Sequence, residues 1–197
     1  MNNKELDKIL LDHKNWILGK ENGKRANLRN ANLKGTYLKD AILIRADLTF
    51  ANLKEANLTG AILRDSELKG ANLIGANLRN ADLTRAILIN SDLKGANLIG
   101  AILIDSDLTR ARLKDSELEG ADLTRANLRH ANLKGADLKN AILTRADLAF
   151  ANLKEANLTG ANLRNADLKR ANLIGAILID SDLTRADLTR VSISVNP

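Results

Sequence analysis

A leucine recurs at every fifth position from Leu28 to Leu188, thirty-three times in succession without an insertion. The residue two positions before each leucine is alanine in twenty-seven of these units and threonine or serine in the other six. The residue directly before the leucine is usually Asn or Asp, and the two residues after it are mostly polar. Only two positions in five are therefore apolar, and the fold must bring both of them into one interior.

Neither an α-helix nor a conventional sheet can do this. Five residues turn an α-helix by about 500°, so successive leucines would be displaced by about 140° and would spiral around the axis. In a β-strand the leucines would alternate between opposite faces. The remaining solution is a coil in which each pentapeptide forms one short extended side and a turn. The spacing predicts a β-solenoid.

The units Ala-Asn-Leu-Lys-Gly at 31–35 and Ala-Asp-Leu-Thr-Arg at 121–125 resemble those of the pentapeptide-repeat proteins. The resemblance covers residues 26–190. It implies an all-β fold, a right-handed quadrilateral β-helix with four pentapeptides per coil and with leucine and alanine or serine inward. We expect about eight coils in residues 26–197, preceded by an N-terminal α-helical cap and linker in residues 1–25.

Outward-facing residues also support a coil of twenty residues. We name the four sides after their first leucine or their commonest basic residue: the Leu28 side, the lysine side (first leucine Leu33), the Leu38 side and the arginine side (first leucine Leu43). The residue after leucine on the lysine side is lysine in six of eight coils: Lys34, Lys54, Lys94, Lys114, Lys134 and Lys154.

We call the second residue after each leucine the corner residue. On the Leu38 side every corner residue is Gly, Asn or Asp, which tolerate a positive φ, so left-handed turns are expected there. The arginine side has no glycine at its corners, and a different turn type is expected: its corners are Arg45, Asp65, Arg85, Asp105, Arg125, Arg145, Asn165 and Arg185.

Both ends of a solenoid need protection. Asn2 and Glu5 resemble a capping box, and helical spacing predicts an amphipathic helix from about Asn3 to Leu18 that ends at Gly19 and Gly23 and covers the first coil. His13 is interpreted as a packed or capping residue of this helix. At the other end inward alternation continues through Val191, Ile193 and Val195. These three residues predict an end-to-end homodimer.

Composition disfavours catalysis. The chain has no cysteine and two histidines, His13 and His130, so sulfur-based metal sites and imidazole chemistry have few candidates. A rod with flat sides offers no cleft for converging groups, so we expect no enzyme activity, cofactor or metal. No apolar stretch approaches the roughly 20 residues of a spanning helix, and the N-terminus carries no apolar export segment, which predicts a cytoplasmic protein.

The formal net charge of +6 raises the question of anionic partners. The lysine column could bind an anionic surface, or it could be an ordinary solvated face beside Glu55, Asp115 and Glu155. Stacking aromatic residues are scarce, so nucleic acid is not an expected partner. Family resemblance also suggests a second alternative, a DNA-mimicking protein that binds DNA gyrase and gives quinolone resistance, although a basic chain has the opposite field from such a mimic.

The favoured function is a structural or protein-interaction scaffold for an unknown protein partner. Apolar residues beside arginines are typical of interfaces. On the arginine side the candidate contact residues are Ile42, Ile44, Ile62, Ile102, Ile104 and Ile142, with Arg45, Arg85, Arg125 and Arg145. β-Branched residues also suit any strand, which is the structural alternative. The asparagines before leucine on the lysine side predict amide hydrogen bonds from coil to coil.

Overall fold

The repeat region winds in coils of twenty residues. In this computed structural model, which describes residues 2–194, parallel bridges join residues twenty apart, from Asn27↔Asp47 to Asn172↔Ser192. Each bridge is isolated, so within that range every extended side is as short as the repeat allows. Lys94 and Lys114 lie in one column, because the Gly95 N–H donates to the Lys114 carbonyl at 3.0 Å. The predicted coil of four pentapeptides is confirmed.

Each pentapeptide has five backbone N–H groups, and the structure gives four of them backbone partners. In the unit around Leu93, the leucine donates to the carbonyl of Arg112 in the next coil at 2.7 Å, and Asp92 donates to Ala71 in the previous coil at 2.9 Å. Gly95 donates forward as described, and the next alanine, Ala96, closes the turn on the Leu93 carbonyl at 2.9 Å. Backbone bonding thus leaves one N–H per unit, that of the residue after leucine.

The fifth N–H is bonded by a side chain. Lys94 N–H donates to Asp92 Oδ1 at 3.2 Å, and Thr124 N–H donates to Asp122 Oδ1 at 2.9 Å. This is an Asx turn, and it recurs around the solenoid wherever Asn or Asp precedes leucine. The preference for Asn or Asp at this position therefore has a local cause, the Asx turn, which the alignment of residues twenty apart does not predict.

The interior is filled by leucine and alanine. These side chains are fully buried along most of the rod, and four of the five inward serines are buried with them. Each of these serines donates its hydroxyl to the carbonyl three residues earlier at 2.7 Å: Ser66, Ser91, Ser106 and Ser116. The interior therefore satisfies its few polar groups internally.

The corner residue is left-handed on all four sides, so the expectation of another turn type on the arginine side is wrong. Arg45, Asp65 and Arg85 have φ of 58°, 57° and 57°, close to the 63° of Gly35. A non-glycine residue in this region costs about 1–2 kcal/mol. Bonds between coils fix the conformation regardless of residue type, as when Arg45 N–H donates to the Arg64 carbonyl at 2.8 Å.

One helix, α1 (Asn3–Ile17), precedes the coils, in agreement with the predicted bounds. Asn2 Oδ1 caps it by accepting from Glu5 N–H at 2.9 Å. Leu6 is buried in the core of the first coil, and His13 is also buried, where its Nδ1 accepts from Ala26 N–H at 3.0 Å. Helix α1 therefore packs on the leucine interior, and the interpretation of His13 as a packed residue is confirmed.

The two glycines after α1 have different roles. Gly19 follows the last turn with φ 66°. A Cβ at Gly23 would lie 2.2 Å from the Trp16 backbone nitrogen, so this glycine lets the linker approach the helix closely. In the part of the chain described here, no helix is both long and apolar enough to cross a membrane.

Candidate interaction surfaces

The isoleucines of the arginine side occupy two adjacent columns. Ile42 and Ile62 bridge directly, whereas Ile102 and Ile142 each bridge to Asp122 between them. Ile102 and Ile142 are 38% and 39% exposed. Ile44 and Ile104 follow the inward leucines and are half-buried. The structure thus brings the six predicted isoleucines to one side of the rod.

Isoleucine before leucine replaces a turn-forming residue. Asp82 and Asp122 in the same column accept the N–H of Thr84 at 3.1 Å and of Thr124 at 2.9 Å. An isoleucine side chain has no acceptor, so the turns that follow Ile102 and Ile142 lack this bond. The arginine side therefore loses hydrogen bonds where it exposes apolar surface.

Two of the predicted corner arginines are held by carboxylates in the preceding coil. Arg85 donates from Nε and a terminal nitrogen to Asp65 at 2.6 and 2.9 Å, and Arg125 donates to Asp105 at 2.6 and 2.5 Å. Hydrogen bonds from these guanidinium groups lower the pKa of Asp65 and of Asp105. Among residues 2–194, Arg45 and Arg145 form no ion pair.

A surface cavity of about 410 Å³ lies where the end of α1 meets the arginine side. We call it the Trp16 cavity. Its apolar part consists of Trp16, Ile17 and Ile44, and its charged rim consists of Arg45, Arg64, Asp65 and Arg85. The predicted residues Ile44, Arg45 and Arg85 therefore share one concave site. Trp16 and Ile17 were missed, because no repeat periodicity relates the helix to the coils.

Carboxylates offset much of the lysine column. Lys54 and Lys34 lie 3.6 and 4.0 Å from Glu55, and Lys114 lies 3.6 Å from Asp115. Lys154 and Lys134 share Glu155 at 3.3 and 3.5 Å, and the hydrogen bond from Lys154 is the largest cause of the lowered Glu155 pKa. Lys94 has no ion pair within the described part of the chain.

The predicted amide ladder forms in part. Asn52 Nδ2 donates to Asn32 Oδ1 at 3.1 Å, and Asn152 Nδ2 donates to Asn132 Oδ1 at 3.3 Å. Elsewhere in this column the amide oxygen serves the turn within its own unit. Residues 2–194 contain no group of three or more His, Cys, Asp or Glu side chains arranged to hold a metal ion.

Of the predicted dimer contacts, Val191 packs against the core and Ile193 is 55% exposed. Val195 lies outside the described residues. Leu188, in the same last coil, is 45% exposed, so the inward side chains of this coil are only partly covered.

Solved structures similar to this chain include three repeat proteins. HetL, a pentapeptide repeat protein involved in heterocyst differentiation regulation from the cyanobacterium Nostoc sp. strain PCC 7120, is 35% identical, covering 97% of this chain and 96% of HetL, with a TM-score of 0.38. Rfr23 from the cyanobacterium Cyanothece 51142 is 32% identical over 58% of this chain and 61% of its own, with a TM-score of 0.30.

QnrB1, a plasmid-mediated fluoroquinolone resistance protein, is 18% identical over 87% of this chain and 92% of its own, with a TM-score of 0.53. This similarity concerns the fold, and such neighbours imply a right-handed quadrilateral β-helix. No curated protein sequence gives a match.

The family model described as pentapeptide repeats matches with 8 copies, over residues 24–60, 51–90, 66–105, 91–129, 106–145, 121–160 and 151–190. These ranges span the coils built from the leucine period, and they include the units whose turns and bridges are described above. The chain belongs to the pentapeptide-repeat family.

Proposed function

We propose that this chain is a non-enzymatic cytoplasmic scaffold that binds a protein partner through its arginine side. Its parts are a helical capping unit in residues 1–25 and a β-helix in residues 26–197. The Trp16 cavity is the observation that carries the proposal, because it joins an apolar floor to an arginine rim. Tryptophan and arginine are enriched among the residues that dominate binding energy at interfaces.

The placement of isoleucine supports the same side. Ile102 and Ile142 stand where Asn or Asp would complete a turn, and both are well exposed. Residues that break a local structural rule without a structural gain are typical of functional surfaces. A partner that covers these isoleucines would recover the apolar burial that the isolated rod lacks.

Arginine geometry adds specificity. The forks from Arg85 to Asp65 and from Arg125 to Asp105 hold two guanidinium groups in fixed positions, so less side-chain freedom is lost on binding. Arg45, at the cavity rim, keeps its donors available to a partner. A surface with fixed arginines around an apolar centre resembles a protein interface in composition.

Capture from the native cytoplasm with the immobilised full chain tests the proposal. The substitutions I44Q with R45Q, and separately I102N with I142N, are expected to abolish capture of a partner retained by the wild type. Lysine-side variants K94Q with K134Q serve as the control and are expected to retain it. Loss on the lysine-side variant, with retention on both arginine-side variants, contradicts the proposal.

The substitution I102N has a second expected effect that separates binding from folding. The introduced amide oxygen would accept the backbone N–H of Ile104, as the Asn97 side chain accepts that of Ile99 at 3.1 Å. The free energy of unfolding should therefore stay unchanged or rise by up to about 1 kcal/mol. A large loss of stability would show that Ile102 is a structural residue.

Two alternative functions, a DNA-mimicking gyrase binder and a binder of anionic surfaces, have weaker support. The first is a gyrase-directed DNA mimic of the quinolone-resistance type; the fluoroquinolone resistance protein QnrB1 has a similar fold, but the net charge of +6 opposes duplex mimicry. Inhibition of gyrase supercoiling by the purified chain would establish that alternative. In the second, the binder of anionic surfaces, Glu55, Asp115 and Glu155 offset half of the six charges of the lysine column and pair with five of its lysines.

We also propose the end-to-end homodimer through Val191, Ile193 and Val195. The partly exposed Leu188 and Ile193 support it, because stacking two last coils would bury them. Light scattering across a concentration series is expected to give the dimer mass, and V191D with I193D is expected to give the monomer. A monomeric wild type at high concentration contradicts the dimer.

A further inference from the structure

A second concave site lies on the Leu28 side, away from α1. It is a depression of about 310 Å³ beside Phe150, and we call it the Phe150 pocket. Its cationic lining comprises Arg129, Lys169, Arg170 and Arg190, and Ala149 forms its floor. Asp167 is the one acidic residue of the lining. The pocket therefore combines four basic side chains with one carboxylate.

Small size at position 149 creates the depression. The same column holds Arg129 one coil earlier and Lys169 one coil later, and Ala149 between them is almost completely buried. Two long basic side chains thus border a site where the backbone lies close to the surface. A small anion could lie above this buried alanine and contact the basic side chains on either side.

Phe150 fixes the position of its basic neighbours. Its ring stacks on His130, with centroids 4.9 Å apart and an interplanar angle of 16°. The guanidinium carbons of Arg129 and Arg170 lie 5.7 and 5.5 Å from the Phe150 centroid. Cation–π contacts of this kind orient arginines without using their hydrogen-bond donors. Arg129 also donates to Asp147 at 3.2 Å, whereas no carboxylate among residues 2–194 pairs with Arg170, so the donors of Arg170 remain available to a ligand.

Arg170 and Arg190 are adjacent in one corner column, about 4.8 Å apart along the rod. No carboxylate among residues 2–194 pairs with either of them. On the arginine side, by contrast, Arg85 stands between Asp65 and Asp105 and binds the first. Like charges in direct register repel, and a bound anion would relieve this repulsion.

Asp167 does not neutralise these arginines. Its carboxylate accepts from the backbone N–H of Lys169 at 2.9 Å and lies 3.5 Å from Lys169 Nζ. Lys169 Nζ also lies 3.1 Å from Asp187. Both carboxylates are therefore turned toward Lys169 and the turns, and the arginine edge of the pocket keeps its positive charge.

The chain carries an internal comparison for this site. Residues 46–60 recur almost unchanged at 146–160, so Phe50 and Phe150 occupy equivalent places, and Arg29 lies 5.6 Å from the Phe50 ring as Arg129 does near Phe150. The first copy has Thr49, Gly70 and Asn90 where the second has Ala149, Arg170 and Arg190. The floor and the paired arginines are thus specific to the second copy.

Phe50 shows that the first copy is closed differently. A Cβ at Gly70 would lie 2.5 Å from atoms of the Phe50 ring, so this ring leans over the glycine. At Arg170 the corresponding place is taken by a long basic side chain. The three differences between the copies, at 49 and 149, 70 and 170, and 90 and 190, therefore give the second copy a cationic depression where the first copy has the Phe50 ring over Gly70.

We propose that the Phe150 pocket binds the diphosphate group of a small polyanion. Guanidinium groups bind phosphate oxygens through paired hydrogen bonds, and Arg170 and Arg190 are the two bases of the pocket that no carboxylate among residues 2–194 pairs with. Two linked phosphates can contact Arg170 and Arg190 together across the coil spacing of about 4.8 Å, with one phosphate at each guanidinium group. The volume is at the lower end for small-molecule sites, and the nearby Asp147 and Asp187 disfavour a long nucleic acid strand.

Calorimetric titration of the full chain with inorganic pyrophosphate, and separately with ADP, tests this inference at low ionic strength. The variant R170G with R190N carries the residues of the first copy. It is expected to weaken the binding of both pyrophosphate and ADP by about tenfold or more. A149T leaves the charge unchanged, fills the floor as Thr49 does, and is expected to weaken them severalfold. The matched control R29Q with K69Q removes equal charge from the first copy and is expected to have little effect.

Three results would overturn the proposal. One is the absence of pyrophosphate binding by the wild type. Another is equal weakening by R170G with R190N and by R29Q with K69Q, which would indicate non-specific attraction to a basic rod. A third is binding of ADP without pyrophosphate, which would indicate recognition of the base. Binding of both ligands, with loss in A149T, supports a diphosphate site regardless of the source of the diphosphate.

Discussion

Where asparagine or aspartate precedes an inward leucine, these residues complete the backbone hydrogen bonding of their unit. Their side-chain oxygen accepts the N–H that the coil-to-coil ladder leaves over, at 2.9 Å from Asp122 to the Thr124 nitrogen and 3.1 Å from Asn97 to the Ile99 nitrogen. Where isoleucine takes their place, the unit exposes apolar surface and lacks that bond. Single residues at this position therefore mark where the surface departs from the needs of the fold.

His13 connects helix α1 to the first coil. Its Nδ1 accepts from Ala26 N–H at 3.0 Å, so the proton of the neutral ring lies on Nε2, which is buried without a hydrogen-bond partner among the described residues. Burial is the largest cause of its lowered pKa. The folded protein therefore favours the neutral imidazole, and protonation should loosen the cap.

Acidification tests the role of His13. Because the pKa is lowered on folding, the unfolded chain binds more protons below about pH 6.5. The stabilisation by neutral His13 is thus present above about pH 6.5 and is lost as the pH falls toward the folded pKa. Trp16 stacks on His13 with centroids 5.5 Å apart, and its emission should shift to longer wavelength as the pH falls below about 6.5.

The two histidines supply the control. H13Q should remove this transition, whereas H130Q should keep it. Asp187 titrates at lower pH, because hydrogen bonds from Thr189 are the chief cause that lowers its pKa to about 2. The same pH profile in H13Q and in the wild type would show that another group is responsible.

At the level of elements, the buried leucines stabilise the coil, whereas the paired hydrogen bonds between arginine and aspartate order its surface. Leu103 is fully buried, whereas Asp105 and Arg125, which bond between successive coils, are exposed. Exposed ion pairs contribute little to stability, because water already solvates both charges. Stability and surface pattern are therefore carried by different positions of the same pentapeptide.

Urea unfolding of L103A and D105N separates these contributions. L103A should lower the free energy of unfolding by about 2–5 kcal/mol, because it leaves a cavity in a closely packed interior. D105N should cause little change in stability but should free Arg125 from its fixed position. A loss in D105N as large as that in L103A would mean that the forks, and not the leucines, hold the coils together.

The elements also show what the sequence could predict. The leucine period determines the coil, and the capping pattern around Asn2 and Glu5 predicts α1 almost to its ends. The absence of glycine at the arginine-side corners predicted a different turn type there, and this prediction is wrong. Backbone hydrogen bonds between coils impose a positive φ on Arg45 and Arg85 as well. Turn type in a stacked coil depends on neighbouring coils, which local residue preference does not include.

At the level of the whole molecule, the two concave sites arise where separate patterns meet. The Trp16 cavity needs the angle at which α1 packs on the coils, and the Phe150 pocket needs side chains from four successive coils. Columns spaced by twenty predict which residues are neighbours, including His130 and Phe150. They do not predict depth, because depth depends on the size of single residues such as Ala149.

Crosslinking tests most directly the claim on which both sites depend, that side chains twenty residues apart lie directly above one another. The chain has no cysteine, so K94C with K114C introduces one defined pair. Adjacent coils lie about 4.8 Å apart, within the range that a disulfide spans. Mild oxidation should crosslink K94C with K114C completely within one chain, as measured by intact mass, and should not crosslink K94C with T109C. Crosslinking of the pair fifteen apart, with none in the pair twenty apart, would contradict the claim.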